Sequence, residues 1–289
     1  MRKIIINADD FGLSKSINKG IIKAFKEGIL TNTSLLPNMP GFDNAVDLIT
    51  ENPQLPVGIH LNIFRGNPIL PALKLKSLTK KGSFFNNIFI FLYSIYAGNL
   101  DFKELESECR AQIEKLLKKN ISITHLDSEK HLHLIKPIFD TTIKIAKEYG
   151  ISKVRYINKI PYRNILGASG IFTNKFYNNL FLNIFSKQNR LSIQKCDLKT
   201  TDFFYGISRI DSNAIISEFK KVLLDLKNGT IEIMCHPGYI DEEWDNYPLN
   251  TEKYYLNNSR EAELNALISP ELKELIKKSN IKLIAFKDL

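Results

Sequence analysis

Short runs of β-branched residues alternate with segments of helical periodicity along almost the whole chain. This alternation is typical of βα units packed around a parallel sheet. Seven such units predict a barrel or a partly closed barrel, although an open doubly wound sheet would give much the same linear pattern. The predicted strands are Lys3 to Ala8, Thr31 to Leu36, Val57 to Asn62, Ile121 to Asp127, Lys153 to Ile157, Thr230 to His236 and Lys282 to Phe286.

Helical periodicity fills the intervals between those strands. Ser14 can cap the first helix and Asp101 the third, because each offers a side-chain oxygen to the free amides of the opening turn. Pro270 suits the first position of the last helix, where no amide hydrogen is needed. The predicted helices lie near residues 14–27, 42–51, 101–119, 137–149, 212–227 and 270–278.

The chain has 289 residues, which suits one large α/β domain, and no glycine-rich linker divides it. We therefore expect a single domain over residues 1–289, with aromatic insertions near 73–99 and 161–190. Neither insertion contains the ~20 consecutive apolar residues of a transmembrane helix. They favour helices packed beside the barrel mouth, or the surface of a homodimer, over contact with a membrane.

The composition limits both the partners and the location of the protein. Apolar residues make up 44% of the chain and charged residues 25%, which excludes a disordered or fibrous protein. The net charge is +9, but no block of about five or six basic residues marks a nucleic-acid-binding arm. The three cysteines form no CxxC pair, and the first residues lack the ~7–15 apolar residues of a secretory signal. We expect a cytoplasmic protein with no nucleic-acid partner.

All five histidines fall in three short segments that end predicted strands. These segments are Gly58 to Asn62, Thr124 to His133 and Cys235 to Tyr239. A fourth strand end supplies two adjacent carboxylates, Asp9 and Asp10, after a run of isoleucines. Because the carboxyl ends of parallel strands share one face of the sheet, the four distant segments are expected to meet there.

Each of these groups, taken alone, has an ordinary structural explanation. A histidine at a strand end, such as His60, is more often a hydrogen-bonded core residue than a metal ligand. Two aspartates after a strand are more often a helix cap or a solvated turn, and His131 and His133 could simply line a loop. One shared site explains all the positions together, whereas the structural explanations require a separate accident for each.

Carboxylates and imidazoles together are the ligands of a catalytic divalent cation. Successive strand residues point to opposite faces, so Asp9 and Asp10 reach one centre only if the chain turns at Phe11 and Gly12. One carboxylate can then bind the cation while the other acts as general base towards water whose pKa the cation lowers. His236 could carry the proton to the leaving group. The pattern predicts metal-assisted hydrolysis.

Other kinds of catalysis fit the sequence poorly. The chain contains no GxSxG elbow, and Cys235 alternates in direction with His236, which disfavours a serine or cysteine nucleophile. It also contains neither GxGxxG nor GxxxxGK[ST], which disfavours a nucleotide cofactor or phosphoryl transfer from ATP.

The strand-end motifs resemble those of a known family. Four motifs occur in the order seen in the YdjC-like carbohydrate deacetylases, which include chitooligosaccharide deacetylases. They are Asn7-Ala8-Asp9-Asp10-Phe11-Gly12, Gly58-Ile59-His60-Leu61-Asn62, Thr124-His125-Leu126-Asp127-Ser128 with His131 and His133, and Cys235-His236-Pro237-Gly238-Tyr239. The resemblance covers most of the chain.

This resemblance implies a distorted (β/α) barrel of about seven parallel strands and metal-dependent removal of acetyl groups from N-acetylated sugars. Carried over by position, the metal ligands would be Asp10, His60 and His125, with Asp9 as the base and His236 as the acid. Arg155 would touch the substrate, and so would His133 unless it makes an ordinary hydrogen bond behind the ligands. The division of roles between Asp9 and Asp10 is open at this point.

The metal and the substrate also remain open. The resemblance implies Mg²⁺, whereas two imidazoles and one carboxylate suit Zn²⁺ or another transition ion better. The substrate would be an N-acetylated sugar, an oligosaccharide or a glycolipid, because the insertions would alter the cleft. The alternatives are another metal-dependent hydrolase on the same face, such as a glycosidase or phosphoesterase, and an inactive glycan- or glycolipid-binding protein.

Overall fold

A computed structural model describes residues 2–157, 188–206, 212–225, 228–240 and 259–289. Its strands are β1 (Arg2–Phe11), β2 (Asn32–Leu35), β3 (Val57–Leu61), β4 (Thr79–Lys80), β5 (Ser83–Phe84), β6 (Ile123–Ser128), β7 (Phe203–Gly206), β8 (Gly229–Cys235) and β9 (Ile281–Leu283). Its helices are α1 (Lys15–Glu27), α2 (Phe42–Glu51), α3 (Ile88–Tyr96), α4 (Phe102–Leu117), α5 (Lys136–Glu148), α6 (188–195), α7 (Ser212–Asp225), α8 (Ser259–Ile268) and α9 (Pro270–Lys278). Short 3-10 helices cover Ala72–Lys74, Glu129–Leu134 and Phe286–Asp288.

Seven of the described strands form one parallel sheet that curls into a half-barrel with flanking helices. The order of the strands is β6-β3-β2-β1-β8-β7, and β9 pairs with β1. The prediction of a distorted α/β barrel of about seven parallel strands is therefore confirmed. In this arrangement the carboxyl ends of β1, β3, β6 and β8 lie on the same side of the half-barrel.

The run of isoleucines in β1 is explained by the central position of this strand in the sheet. Ile4, Ile5 and Ile6 have no exposed surface, because both faces of the strand are covered. β8 pairs along most of β1, while β9 pairs with its first residues and β2 with its last. Asp9 and Asp10 at the end of this strand are thereby held in the middle of the sheet.

The predicted helix starts are confirmed. The Ser14 side chain accepts a hydrogen bond from the amide of Ile17, and the Asp101 side chain accepts one from the amide of Lys103. Pro270 lies in the first turn of α9. These contacts satisfy amides that the helices themselves leave without a partner.

The remaining differences from the predicted elements have local causes. In place of the strand predicted over residues 153–157, the structure has two isolated parallel bridges, which join Val154 to Leu126 and Lys153 to Lys199. The sequence analysis missed β7, whose four residues are too few to show a period. It also missed α8, because Arg260 and Glu263 are charged residues on its buried side and obscure the apolar pattern.

The insertion at 73–99 contains the β4-β5 hairpin and α3. Phe91 and Ile95 of α3 are buried, whereas Phe89, Tyr93 and Tyr96 are exposed on the other side of the helix. Most of the second insertion, at 161–190, lies outside the described residues. The homodimer stays a prediction. In the described part of the chain, no helix has the length and hydropathy needed to cross a membrane.

Candidate active site

The two aspartates of β1 turn towards the same space because the strand is irregular at its end. The β1-β2 register shifts between Ala8 and Phe11, and Asp10 has a left-handed φ of 69°. Gly12 follows with a φ of 89°, a conformation that suits glycine. Both carboxylates reach His60: each belongs to a group of three acidic or imidazole side chains whose ligand atoms lie within 4.8 Å of one another. The expected turn at this strand end is present.

His60 is oriented by a partner on the neighbouring strand. The β3-β6 register places it beside Asp127, and its Nδ1 lies 2.7 Å from Asp127 Oδ1. Burial alone would lower the pKa of His60, but the charge and hydrogen bond of Asp127, with the charges of Asp9 and Glu129, raise it to about 9. With Nδ1 engaged, Nε2 is the ring nitrogen that faces Glu129, at 3.8 Å from Glu129 Oε2.

Two groups in the described part of the chain could hold a cation. They are Asp9 with His60 and Asp127, and Asp10 with His60 and Glu129. In the first group His60 and Asp127 are bonded directly to each other, which leaves no room for an ion between those two atoms. The second group keeps His60 Nε2 available, so we regard Asp10, His60 and Glu129 as the candidate cation site.

Glu129 is a site residue that the sequence analysis did not assign. It follows β6 directly, is 3% exposed, and begins a short 3-10 segment. Lys130 and His131 come next with left-handed φ values of 53° and 54°, so the chain bends sharply after Glu129. The available signal was an acidic residue two positions beyond Asp127, immediately past the end of a predicted strand.

The structure does not bring His125 into either group. Its ring stacks on Phe286 at 3.8 Å, its Nδ1 lies beside Asn32 and Thr124, and its Nε2 lies 3.1 Å from Ser34 Oγ. The residue is fully buried, and burial lowers its pKa. Among the described residues, the structure therefore groups Asp10 and His60 with Glu129 and not with His125, and the ligand set of Asp10, His60 and His125 stays a prediction.

His125 lies outside both groups because of its position along β6. His125 precedes Asp127 by two residues, so both point to the same face of β6, but His125 lies one step further from the carboxyl end. Gly58 on the adjacent strand leaves the space that the ring fills, since a Cβ there would lie 2.1 Å from His125 Cε1. His125 packs beneath the site rather than within it.

Three buried arginines hold the carboxylates of the site. Arg65 and Arg260 contact opposite oxygens of Asp10, and Arg155 binds both oxygens of Asp9 at 2.6 and 2.7 Å. Burial would raise the pKa of Asp10, but the charges of Arg65 and Arg260 outweigh it and hold that pKa well below its ordinary value. Asp10 is therefore ionised at neutral pH.

Arg155 was predicted to touch the substrate, and its observed contacts differ. The residue has no exposed surface, and besides Asp9 its guanidinium contacts Asp127 and Glu232. Burial lowers its pKa, but the three surrounding carboxylates raise it well above the ordinary value. Its guanidinium supports the carboxylates of the site, since it forms ion pairs with Asp9, Asp127 and Glu232.

His133 also lies behind the site. Its Nδ1 lies 2.7 Å from Ser128 Oγ and its Nε2 lies 3.0 Å from the carbonyl oxygen of Arg155. The side chain is 1% exposed, and burial lowers its pKa to about 4. Both nitrogens are thus used in hydrogen bonds that fix the chain after β6, which matches the alternative that the sequence left open for this residue.

His236 follows β8 and is half-buried near the two aspartates. Burial lowers its pKa, an effect that the charges of Asp10 and Asp9 partly offset. Its backbone amide donates a hydrogen bond to Glu263 on α8. Gly20 of α1 packs closely on Gly238, so two helices fix the segment that carries this imidazole.

Glu263 should make the free energy of unfolding of the protein depend on pH. Burial raises its pKa to about 8, so folding favours the protonated carboxyl. A raised carboxyl pKa means that this contribution is present at low pH and is lost between the ordinary value of 4.5 and about 8. Glu263→Gln should therefore gain stability over the wild type as the pH rises through that range, by at most about 1.4 kcal/mol per pH unit.

Urea unfolding of the two proteins at pH 5 and pH 8.5 measures this difference directly. Titrations elsewhere in the protein cancel in the comparison, because both proteins share them. An equal stability difference at both pH values would show that Glu263 does not titrate in this way.

Comparison with known proteins agrees with this architecture. The sequence profile of the YdjC-like protein family matches residues 3–278. A carbohydrate deacetylase of Clostridium beijerinckii is 34% identical over 99% of this chain and 100% of its own length. Another, from Brevibacillus brevis, is 33% identical over 99% of both chains. A crystal structure from Enterococcus faecalis, of a protein named for cellobiose-phosphate cleavage, aligns with a TM-score of 0.73 at 27% identity, covering 99% of this chain and 98% of that one.

Fold and site together define a parallel α/β half-barrel with buried carboxylates, imidazoles and guanidinium groups at the carboxyl ends of its strands. The chain belongs to the YdjC-like family, whose curated relatives are named carbohydrate deacetylases. The family assignment made from the strand-end motifs is thus confirmed.

Proposed function

We propose that this protein is a metal-dependent carbohydrate deacetylase that hydrolyses the acetamido group of an N-acetylated sugar to a free amine and acetate. The observation that carries the proposal is the convergence of Asp9, Asp10 and His60 from two strands at one buried centre. The names of the full-length relatives support the same reaction and substrate class.

The chemistry of the donor set fits a divalent cation. Asp10, His60 and Glu129 would hold it, because their ligand atoms already lie close together and Asp127 keeps His60 Nε2 directed at the group. Two carboxylates and one imidazole are richer in oxygen than the set predicted from the sequence, which supports Mg²⁺ or Mn²⁺ over Zn²⁺. A bound cation would polarise the acetyl carbonyl and lower the pKa of water.

The protons are carried by Asp9 and His236. Asp9 Oδ1 accepts hydrogen bonds from Arg155 and from Asn7, whereas Oδ2 accepts one from Arg155 and has a further lone pair with which it can take a proton from the attacking water. Water oxygen forms the new bond to the acetyl carbon, and the C–N bond breaks as the nitrogen receives a proton. His236 in its protonated form would supply that proton, become neutral and regain a proton from solvent, since its half-buried imidazole lies on the side of Asp9 and Asp10.

A substrate panel tests this function against its alternatives. The protein is stripped with a chelator, reloaded with Mg²⁺, Mn²⁺ or Zn²⁺, and offered N-acetylated sugars and chitooligosaccharides, aryl glycosides and aryl phosphates. We expect metal-dependent release of acetate. Cleavage of a glycoside or phosphate without acetate would favour another hydrolase, and tight glycan binding without any turnover would favour a binding protein.

We also propose how far the domain extends along the chain and in which cellular compartment the protein works. Among the described residues, the larger of two hydrophobic clusters contains residues from Ile4 to Ile276, and the smaller joins Ile284 and Phe286 to Ile5 of the central strand, which supports one domain over residues 1–289. All three cysteines are free, and Cys109 and Cys235 are buried, which supports function in the reducing cytoplasm.

A further inference from the structure

Arg65 lies between two of the carboxylates that would hold the cation. Its Nη2 is 2.6 Å from Asp10 Oδ1 and 2.9 Å from Glu129 Oε2. The side chain is 1% exposed, and it comes from the loop that follows β3. We call Asp10 and Glu129 the carboxylate pair.

The carboxylate pair needs a positive charge in that position. Two ionised carboxylates that converge in a buried site repel each other strongly, and an arginine between them replaces the repulsion by two charge-assisted hydrogen bonds. Arg65 contributes one of the charges that keep the pKa of Asp10 low. The protein therefore balances the charge of this pair with its own side chain.

A divalent cation that bridges Asp10 Oδ1 and Glu129 Oε2 would need the position between these oxygens that Arg65 Nη2 now occupies. A bound ion would lie about 2.0–2.6 Å from its oxygen ligands, which is where the hydrogen-bonded guanidinium of Arg65 now contacts Asp10 and Glu129. Two positive groups so close together in a buried site would also repel each other. Binding of the ion is consequently an exchange in which the guanidinium leaves.

We propose that Arg65 is a built-in cation that competes with the divalent metal for Asp10 and Glu129. This proposal rests on the metal site of the proposed function and adds a determinant of its affinity. Because metal binds only when Arg65 has withdrawn, the apparent affinity is reduced by the fraction of molecules in that state. The metal-free protein, in turn, keeps a stable site without any ion.

The structure provides space for the withdrawn side chain. A cavity of about 430 Å³ begins at Gly66, the residue after Arg65, and is also lined by Asn38, Asn67 and Lys115. Gly66 has a left-handed φ of 71°, so the chain turns at this point. Because the cavity is lined by the residue that follows Arg65, we expect a guanidinium that leaves the carboxylate pair to turn towards it.

Calorimetric titration with Mn²⁺ tests the proposal in the full-length protein. Arg65→Met should bind Mn²⁺ at least about tenfold more tightly than the wild type, because the competing charge is gone. Arg65→Lys keeps a charge and should stay within about threefold of the wild type. The matched control is Arg110→Met, which removes an arginine from a partly exposed ion-pair cluster with Glu106 and Glu148 and should leave Mn²⁺ affinity unchanged. Equal or weaker binding by Arg65→Met, or no binding by either protein, would overturn the proposal.

A second measurement uses the wild type alone. Phenylglyoxal modifies accessible arginines, and peptide mapping by mass spectrometry reports each site. Arg65 should be protected in the metal-free protein and modified faster with Mn²⁺, whereas Arg110 should react equally in both. Equal labelling of Arg65 with and without Mn²⁺ contradicts the exchange. Neither measurement involves a sugar, so loss of acetate release would count against the proposed reaction without bearing on the competition.

Discussion

Asp9→Asn should slow acetate release by about 10²–10⁴-fold, the usual contribution of a general base. The substitution keeps the size and shape of the side chain and one oxygen for Arg155, so the fold should be retained. It removes the negative oxygen that would accept the proton of water. Mn²⁺ binding should persist, because the candidate ligands are Asp10, His60 and Glu129.

Two comparisons make this result specific. Asp43→Asn changes an aspartate whose side chain is 85% exposed, and it should leave turnover at the wild-type level. His60→Ala should abolish both Mn²⁺ binding and turnover. Loss of both is expected for a metal ligand, whereas loss of turnover alone is expected for a general base. If Asp9→Asn lost the metal along with activity, or kept full activity, Asp9 would not be the base.

Arg155→Met should lower the free energy of unfolding by about 3–5 kcal/mol, the range found when one partner of a buried ion pair is removed. Arg155 has no exposed surface and is surrounded by Asp9, Asp127 and Glu232. Methionine fills much of the volume but leaves these carboxylates without their shared cation. The loss is therefore electrostatic rather than a loss of packing.

Urea denaturation at pH 7 measures this effect, with Arg110→Met as the control. Arg110 forms ion pairs of similar length, but its side chain is 28% exposed, and exposed pairs contribute only about 0–1 kcal/mol. Similar losses in the two variants would show that Arg155 is not the centre of a desolvated network.

The meeting of distant segments could be predicted because it follows from topology. Asp9, Asp10 and His60 each lie at the end of a strand, and a parallel sheet brings strand ends to one face whatever the order of its strands. The turn that directs both aspartates inward was also predictable, since Gly12 follows them closely in the sequence.

The grouping of Glu129, rather than His125, with Asp10 and His60 could not be predicted, because it depends on the register of β3 and β6. Only the pairing of His60 with Asp127 fixes how deep each residue of β6 lies, and the sequence does not contain that pairing. The contacts of Arg65 and Arg260 with Asp10 could not be predicted for a similar reason. Arg65 and Arg260 lie in a loop and in a helix with no regular spacing to the aspartates, and only the folded chain brings them to Asp10.

Anomalous scattering from crystals soaked with Mn²⁺ tests the central claim most directly. The account predicts a single strong peak within about 2.0–2.6 Å of Asp10, His60 Nε2 and Glu129, with Asp9 adjacent but not coordinated and Arg65 withdrawn. A peak coordinated by His125, or no peak at the ends of β1, β3 and β6, would contradict it.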